Sequence, residues 1–355
     1  MILEGKTILV TGGTGSMGKA FVRRVLTGEM GTPKKLIVFS RDEAKQHDMR
    51  VSYLHKKAAT DEVIYENFMR LLEFRIGDVR DSSSVCAAIK DADIVVNAAA
   101  LKQVPSCEYF PTQALLTNCL GAANIVRAIE QNGYPVDTVL AVSTDKACKP
   151  VNVMGMTKSI QERIITAANI LNPNTRFICV RYGNVLASRG SVIPLFHEQI
   201  RNDGPVTITE PGMTRFLLSL DQAVDTVFAA LREARPGETY VPRIPSATVM
   251  HMAEALIGDR DIEIKITGIR PGEKIHEILV SEEEANRCVE RGRYYAILSM
   301  LPELRDGSPH EPNALVKEFS SADVVLTLGE TTDLFQKHKL MIEDVDLSQG
   351  KEFLR

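Results

Sequence analysis

Thr7–Leu26 reads TILVTGGTGSMGKAFVRRVL, a short apolar strand that breaks at glycine and restarts as a helix. Gly12, Gly15 and Gly18 stand three residues apart across the break. At that spacing Gly12 permits a tight turn, Gly15 lets backbone approach a pyrophosphate, and Gly18 lets the helix pack closely, with the phosphates received at the helix N-terminus. Three glycines alone are a weak signal, but between a first strand and a first helix they predict a dinucleotide site. Thr14, Ser16 and Met17 fall inside the same loop and are expected at the cofactor. The competing reading is a structural turn with no ligand.

Outward from this stretch, β-branched runs at Thr7–Val10, Lys35–Phe39, Glu73–Ile76, Ile94–Ala98, Thr138–Val142 and Arg176–Val180 alternate with helical segments. That rhythm predicts repeated strand–helix units. The runs are apolar at consecutive positions, as strands covered on both faces require. The expected fold class is therefore α/β, a doubly wound parallel sheet of the Rossmann type. It is expected over residues 1–181, with later segments returning to it. Beyond Arg181, Gly, Pro and Ser become frequent and helical segments shorten, so 182–300 is read as a smaller C-terminal substrate-binding lobe over the sheet's carboxyl edge. Residues 301–355 are polar and charged with a weak strand pattern at Val324–Thr327; an oligomer contact and a partly ordered extension both stay open for them.

Composition narrows the function. The chain has 355 residues, 44% hydrophobic and 25% charged, with 42 basic against 46 acidic side chains for a net charge of −4. Such a balance argues against coating nucleic acid or an anionic membrane and towards small-molecule chemistry. No apolar run approaches the roughly 20 residues of a bilayer span, and the N-terminus enters a strand without a secretory pattern. A cytoplasmic protein is expected. Its six cysteines are scattered with no C-x-x-C pair, so neither a disulfide framework nor a metal site is expected.

The second strand ends in LIVFSRDEAKQ, Leu36–Gln46, with Ser40 and Arg41 where an NAD-selective site carries an acid. A hydroxyl and a guanidinium, joined by Lys45, suit a 2′-phosphate. NADP is the favoured cofactor and NAD the weaker alternative, in which Asp42 serves as the acid or Arg41 is a solvated charge. Asp78, in GDVRD after the third strand, either meets the adenine edge or, like Asp81, caps a helix.

At the end of the fifth strand lies AVSTDKACKPVNVMGMTKSIQER, Ala141–Arg163. Carboxyl ends of strands are where a doubly wound sheet places its chemistry. Thr144, Asp145 and Lys146 put a hydroxyl, an acid and an amine side by side, and Met154 and Lys158 fall i, i+4 on one helical face. A surface ion pair is the plainer alternative for Asp145 and Lys146.

These residues carry a resemblance. Tyr-x-x-x-Lys marks the short-chain dehydrogenase/reductase superfamily, and this chain has Met154-x-x-x-Lys158. Among extended members, the ordered motifs TGGTGSMGK, FSRDEAKQHDMR, AAALKQVPSCEYFP, STDKACKPVNVMGMTK, RYGNVLASRGSVIPLF, TRFLLSLDQAV and RPGEKIHE resemble the soluble UDP-N-acetylglucosamine 4,6-dehydratases of bacterial polysaccharide biosynthesis. The resemblance spans about residues 5–280. It implies a homo-oligomer, dimer or hexamer, that takes UDP-N-acetylglucosamine or a close UDP-sugar.

The resemblance also assigns roles. Lys146 is the C5 base, Asp145 the acid for the C6 hydroxyl, Thr144 orients the C4 hydroxyl, and Lys158 binds the nicotinamide ribose. Val79, Ala98, Ala99 and Ala100 follow the third and fourth strands along the cofactor. Lys102 reaches sugar or cofactor, and Asn118 serves either helix stability or a catalytic water. Asn184, Arg189, Arg215, Arg270 and Glu273 match nucleotide-sugar motifs, where cations suit a diphosphate and a carboxylate suits ribose hydroxyls. Met154 has no proton to exchange near neutral pH, so it cannot replace a tyrosinate. A base at Lys146 must be a neutral amine, and Lys158, a cationic nicotinamide and desolvation are expected to lower its pKa. The alternatives are a UDP-hexose 4-epimerase, which needs no acid–base couple at 145–146, and a non-catalytic dinucleotide sensor.

Overall fold

The structure, a computed structural model, describes residues 1–54, 62–186, 191–305 and 311–344. Six parallel strands, β1 (Thr7–Thr11), β2 (Lys35–Ser40), β3 (Leu72–Ile76), β4 (Ile94–Asn97), β5 (Thr138–Thr144) and β6 (Arg176–Tyr182), stand in the order β3-β2-β1-β4-β5-β6. Strand order reverses between β1 and β4, which opens a crevice at the carboxyl edge where such sheets bind ligands. Beyond β6 the sheet continues through Thr239–Pro242, parallel to β6, then Tyr294–Ile297 and Cys288–Arg291 in antiparallel pairing, nine strands in all.

The absence of apolar alternation now has its cause. Ile8 and Val10 enter a core shared with Phe21, Leu140 and Val227, while Leu9 between them enters the opposite core with Val95, Ile125 and Ile165. Both faces of β1 are buried, so every position along it favours an apolar side chain.

A third core joins helix Val192–Arg201, strand Val206–Ile208 and helix Val249–Ile257 above the carboxyl edge. Arg181, at the end of β6, fastens neighbouring elements: its guanidinium donates to both oxygens of Glu162 at 3.0 and 2.6 Å and both of Glu284 at 2.7 and 3.0 Å. All three side chains are buried. The pairing offsets the cost of burying their charge, and it holds the Glu284 carboxyl at about 2 despite burial.

The segment 311–344 folds onto this upper part. Helix Leu328–Lys337 packs against Val249–Ile257 with Phe335 fully buried. Phe319–Ser320 pairs antiparallel with Ile278–Val280. The strand pattern at Val324–Thr327 yields a single bridge, Val325 to Ser246, because Thr327 caps the following helix in a reciprocal box with Glu330; helix initiation wins over strand extension there. No helix among the described residues is long and apolar enough to cross a membrane.

Candidate active site

A continuous cleft of about 1530 Å³ runs along the carboxyl edge from the glycine loop to the upper lobe. It exceeds the range usual for one drug-sized ligand, leaving room for two. Every expected site residue lines it except Asp145, which stands behind the wall, Asn118, which is fully buried, and Arg189, which lies outside the described residues.

The glycine loop is built as its spacing requires. Gly12 has φ +66°, and a Cβ there would come within 2.8 Å of the Ala99 backbone. A Cβ on Gly18 would come within 2.5 Å of Gly13 Cα, whereas one on Gly15 meets nothing closer than 3.3 Å. Gly12 and Gly18 are therefore consumed by close backbone packing, and Gly15, the N-cap of helix Ser16–Leu26, faces the cleft with no side chain over it. Helix N–H groups at this end have no partner within the helix. A cradle of bare backbone, flanked by Thr14, Ser16 and Met17, fits a dinucleotide phosphate. Thr11 secures the opposite bank: its hydroxyl donates to Asn97 Oδ1 at 2.7 Å and accepts from Ala99 N at 3.3 Å, fixing Ala98–Ala100 beside the loop.

At the end of β2, Ser40 Oγ and Thr14 Oγ1 are 3.0 Å apart. Arg41 is more than half exposed and lies 3.7 Å from Asp78. Asp42 turns to the following helix, accepting from Lys45 N at 3.0 Å and pairing with the Lys45 ammonium. Asp78 is engaged by Arg80 through its backbone N–H at 3.0 Å and its guanidinium at 2.9 and 2.6 Å. Burial works against that carboxylate's charge, yet Arg80 outweighs it and the pKa falls below the usual value. The cap of helix Ser82–Ile89 is Asp81, bonded to Ser83 N and Ser84 N at 3.1 and 3.2 Å. Val79 packs against Gly121.

β5 runs past its apolar pattern to Thr144 and delivers Asp145 and Lys146 to a single 3-10 turn. Helix Val153–Leu171 follows, capped by Asn152, which accepts from Gly155 N at 2.8 Å. A Cβ on Gly155 would lie 2.1 Å from the Lys146 carbonyl oxygen, so glycine at 155 lets the helix close over the turn.

Lys146 Nζ lies 3.1 Å from Asp145 Oδ1, 3.2 Å from Asn184 Oδ1 and 3.3 Å from Glu277 Oε1. Thr144 Oγ1 donates to Asp145 Oδ1 at 2.9 Å. Asp145 is fully buried, and its Oδ2 and Glu277 Oε2 have no hydrogen-bond partner. Burial raises the Asp145 pKa. Burial also disfavours charge on Lys146, but Asp145 and Glu277 outweigh it and hold the amine above its usual pKa. Of the causes expected to lower Lys146, burial acts in that direction, but the two carboxylates that face the amine outweigh it.

Lys158 is the lysine whose pKa falls. Burial depresses it to about 8, and Nζ donates to Val142 O at 2.6 Å and Gln161 Oε1 at 2.8 Å. Met154, one turn earlier, lines the cleft and packs with Cys107 and Ala114. Asn118, fully buried in a π-helical turn, bonds Leu101 N and O at 2.8 and 3.1 Å and Thr157 Oγ1 at 2.9 Å. That set uses both ends of its amide, the structural one of its two readings. Lys102 lines the cleft beside it.

From the upper lobe, Arg215 donates to Thr214 O at 2.7 Å and Ile275 O at 3.1 Å, and stands 4.0 Å from Glu277. Arg270 N donates to Glu273 Oε2 at 3.4 Å in an exposed turn. Glu277 closes the RPGEKIHE motif, and motif reading passed it over. Its signal was a carboxylate at the edge of a short apolar strand, which resembles any surface acid until the fold brings Lys146 to it. Among the described residues no group of His, Cys, Asp or Glu is placed to hold a metal ion.

Residues 8–299 match the family model described as "Polysaccharide biosynthesis protein". The chain belongs to the polysaccharide biosynthesis protein family. A curated relative named UDP-glucose 4-epimerase, from Rickettsia bellii (strain OSU 85-389), is 44% identical over 297 residues, 82% of each chain. The X-ray structure of Pen from Bacillus thuringiensis superposes with a TM-score of 0.84 at 32% identity, covering 96% of this chain and 100% of that one. DesIV, a dTDP-glucose 4,6-dehydratase from Streptomyces venezuelae solved with NAD and TYD bound, shares the fold at 18% identity, with a TM-score of 0.63 and coverage of 94% and 98%. The fold shared with both structures is the doubly wound, Rossmann-type α/β sheet described above.

Proposed function

We propose that this family member is an NADP-dependent 4,6-dehydratase of UDP-N-acetylglucosamine or a close UDP-sugar. The observation that carries the reading is the Thr144–Asp145–Lys146 corner, with Thr144 and Lys146 lining the same cleft as the glycine loop and Asp145 buried behind them. A bound nicotinamide would accept hydride from C4 and return it to C6. Gly15, Ser16 and Met17 would hold its diphosphate, Ser40 and Arg41 its 2′-phosphate and Lys158 its ribose. Asp42 is engaged by the following helix and by Lys45, and the more than half-exposed Arg41 beside Ser40 suits a phosphate. Arg215, Arg270 and Glu273 would bind the nucleotide sugar.

Once C4 is a ketone, the C5 proton is acidic, and elimination across C5–C6 needs a base and an acid. One proton moving 3.1 Å from Lys146 Nζ to Asp145 Oδ1 converts the ammonium–carboxylate pair into an amine and a carboxylic acid. Burial favours that neutral form. The amine then takes the C5 proton. Asp145 stands behind the cleft wall, so its proton reaches the departing C6 hydroxyl through Thr144, which lines the cleft and is bonded to it.

A second reading, UDP-hexose 4-epimerase, is favoured by the name of the Rickettsia relative. Epimerisation oxidises and re-reduces C4 alone, so it has no use for this couple, and Met154 supplies no phenol. Incubation with UDP-N-acetylglucosamine in deuterated water, followed by NMR, separates the two. A 6-deoxy-4-keto sugar with deuterium at C5 is the expected product; a 4-epimer without C5 exchange would replace this reading with the second.

A further inference from the structure

Glu277 is a second carboxylate at the amine, brought there from a distant part of the chain. It is 3% exposed as a side chain, its Oε1 lies 3.3 Å from Lys146 Nζ, and its buried Oε2 has no partner. We infer that Glu277 is a positioning residue that fixes the protonation of Lys146, holding it as an ammonium in the resting enzyme and setting how readily its proton passes to Asp145. The inference rests on the dehydratase reading for its catalytic meaning, and on geometry alone for the charge.

The groups around Lys146 divide by sign. Asp145 faces it from its own turn, and Glu277 from the segment leading into Ile278–Val280. Arg215 approaches from strand Thr214–Phe216, and Asn184 offers a neutral oxygen at 3.2 Å. Lys274 acts on Glu277 and is anchored to Cys148 O at 2.6 Å. Moving the Lys146 proton to Asp145 leaves Glu277 facing a neutral amine. Its negative charge therefore opposes the transfer, and a glutamine there would not.

The backbone of Glu277 is held on both sides by Ser321. Glu277 N donates to Ser321 Oγ at 2.9 Å, and Ser321 N donates to Glu277 O at 2.8 Å. Ser321 Oγ also lies 2.6 Å from Thr214 Oγ1, next to Arg215. The carboxylate and the guanidinium are thus fixed from one point in the C-terminal segment.

The test uses the full chain with Lys146 followed by nitrogen-15 NMR of its side chain, together with the pH dependence of kcat. Glu277→Gln is expected to lower the Lys146 titration midpoint by about 1–3 pH units, the range for loss of an opposite charge within 4–6 Å, and to move the acidic limb of kcat the same way. Glu277→Asp keeps the charge on a shorter arm and is expected to give a smaller shift of the same sign. Equal shifts in the two variants, no shift, or a shift upward would overturn the inference. The titration needs no turnover: if wild type makes no 4-keto sugar while the midpoints move as stated, the dehydratase reading fails and the role of Glu277 stands. A normal product with unmoved midpoints is the reverse case.

Discussion

The glycine loop and the Lys146 corner lie in one cleft but are made in different ways. The loop uses one contiguous run, Gly12 to Gly18, and works through backbone: two glycines accept neighbours that a methyl group would strike, and the third leaves the cradle open. The corner uses side chains from separate segments, with Lys146 from the end of β5, Asn184 after β6, Arg215 from the upper lobe and Glu277 beyond it. A local backbone device survives as a motif. A charge balance gathered across the fold exists only once the chain is folded, and here Glu277 joins the adjacent Asp145 in holding the amine above its usual pKa, against the lowering that burial alone would bring.

Substitutions can press on this contrast. Lys146→Ala removes the proposed base and is expected to reduce kcat about 10³-fold, within the usual span for general bases, with NADP binding unchanged by fluorescence titration. Near-wild-type turnover would place the chemistry elsewhere. Lys158 gives a pH test of the buried interior. Its folded pKa of about 8 lies below the lysine value of 10.5, so between those limits the unfolded chain binds more protons and stability rises with pH. Relative to Lys158→Met, the cofactor-free wild type is expected to gain on the order of 3 kcal/mol from pH 8 to 10.5, read from urea midpoints; a constant difference would mean the amine stays protonated. Gly155→Ala forces a methyl onto the Lys146 carbonyl and is expected to cost about 1–3 kcal/mol, with a lowered melting temperature and reduced turnover. The smallest expected effect is on the local side: Arg41→Ala should weaken NADP by about tenfold, the loss of one charge-assisted bond, while leaving NAD nearly unchanged. Equal losses would remove the 2′-phosphate argument.

What could be read from the chain follows the same division. The six parallel strands announced themselves because burial on both faces leaves continuous apolar runs, and Thr144–Lys146 stood out as polar residues at a strand end. Asp81 against Asp78, and Asn118 as a brace, were ambiguous until their partners were in place, since a short polar side chain suits a cap, a ligand or a buried bond equally well. Glu277 and Gly155 were invisible for another reason. Each matters through one contact with the 145–147 turn, and neither contact leaves a periodicity or spacing to detect.

Ser321 lies beyond residue 299, where the family match ends, yet it grips the segment carrying Glu277 and the strand carrying Arg215. A fragment trimmed to the shared family boundary would keep the glycine cradle and lose this clasp. Such a protein is expected to hold dinucleotide with a misaligned Lys146 corner, so cofactor retention is a poor guide to where this chain can be cut.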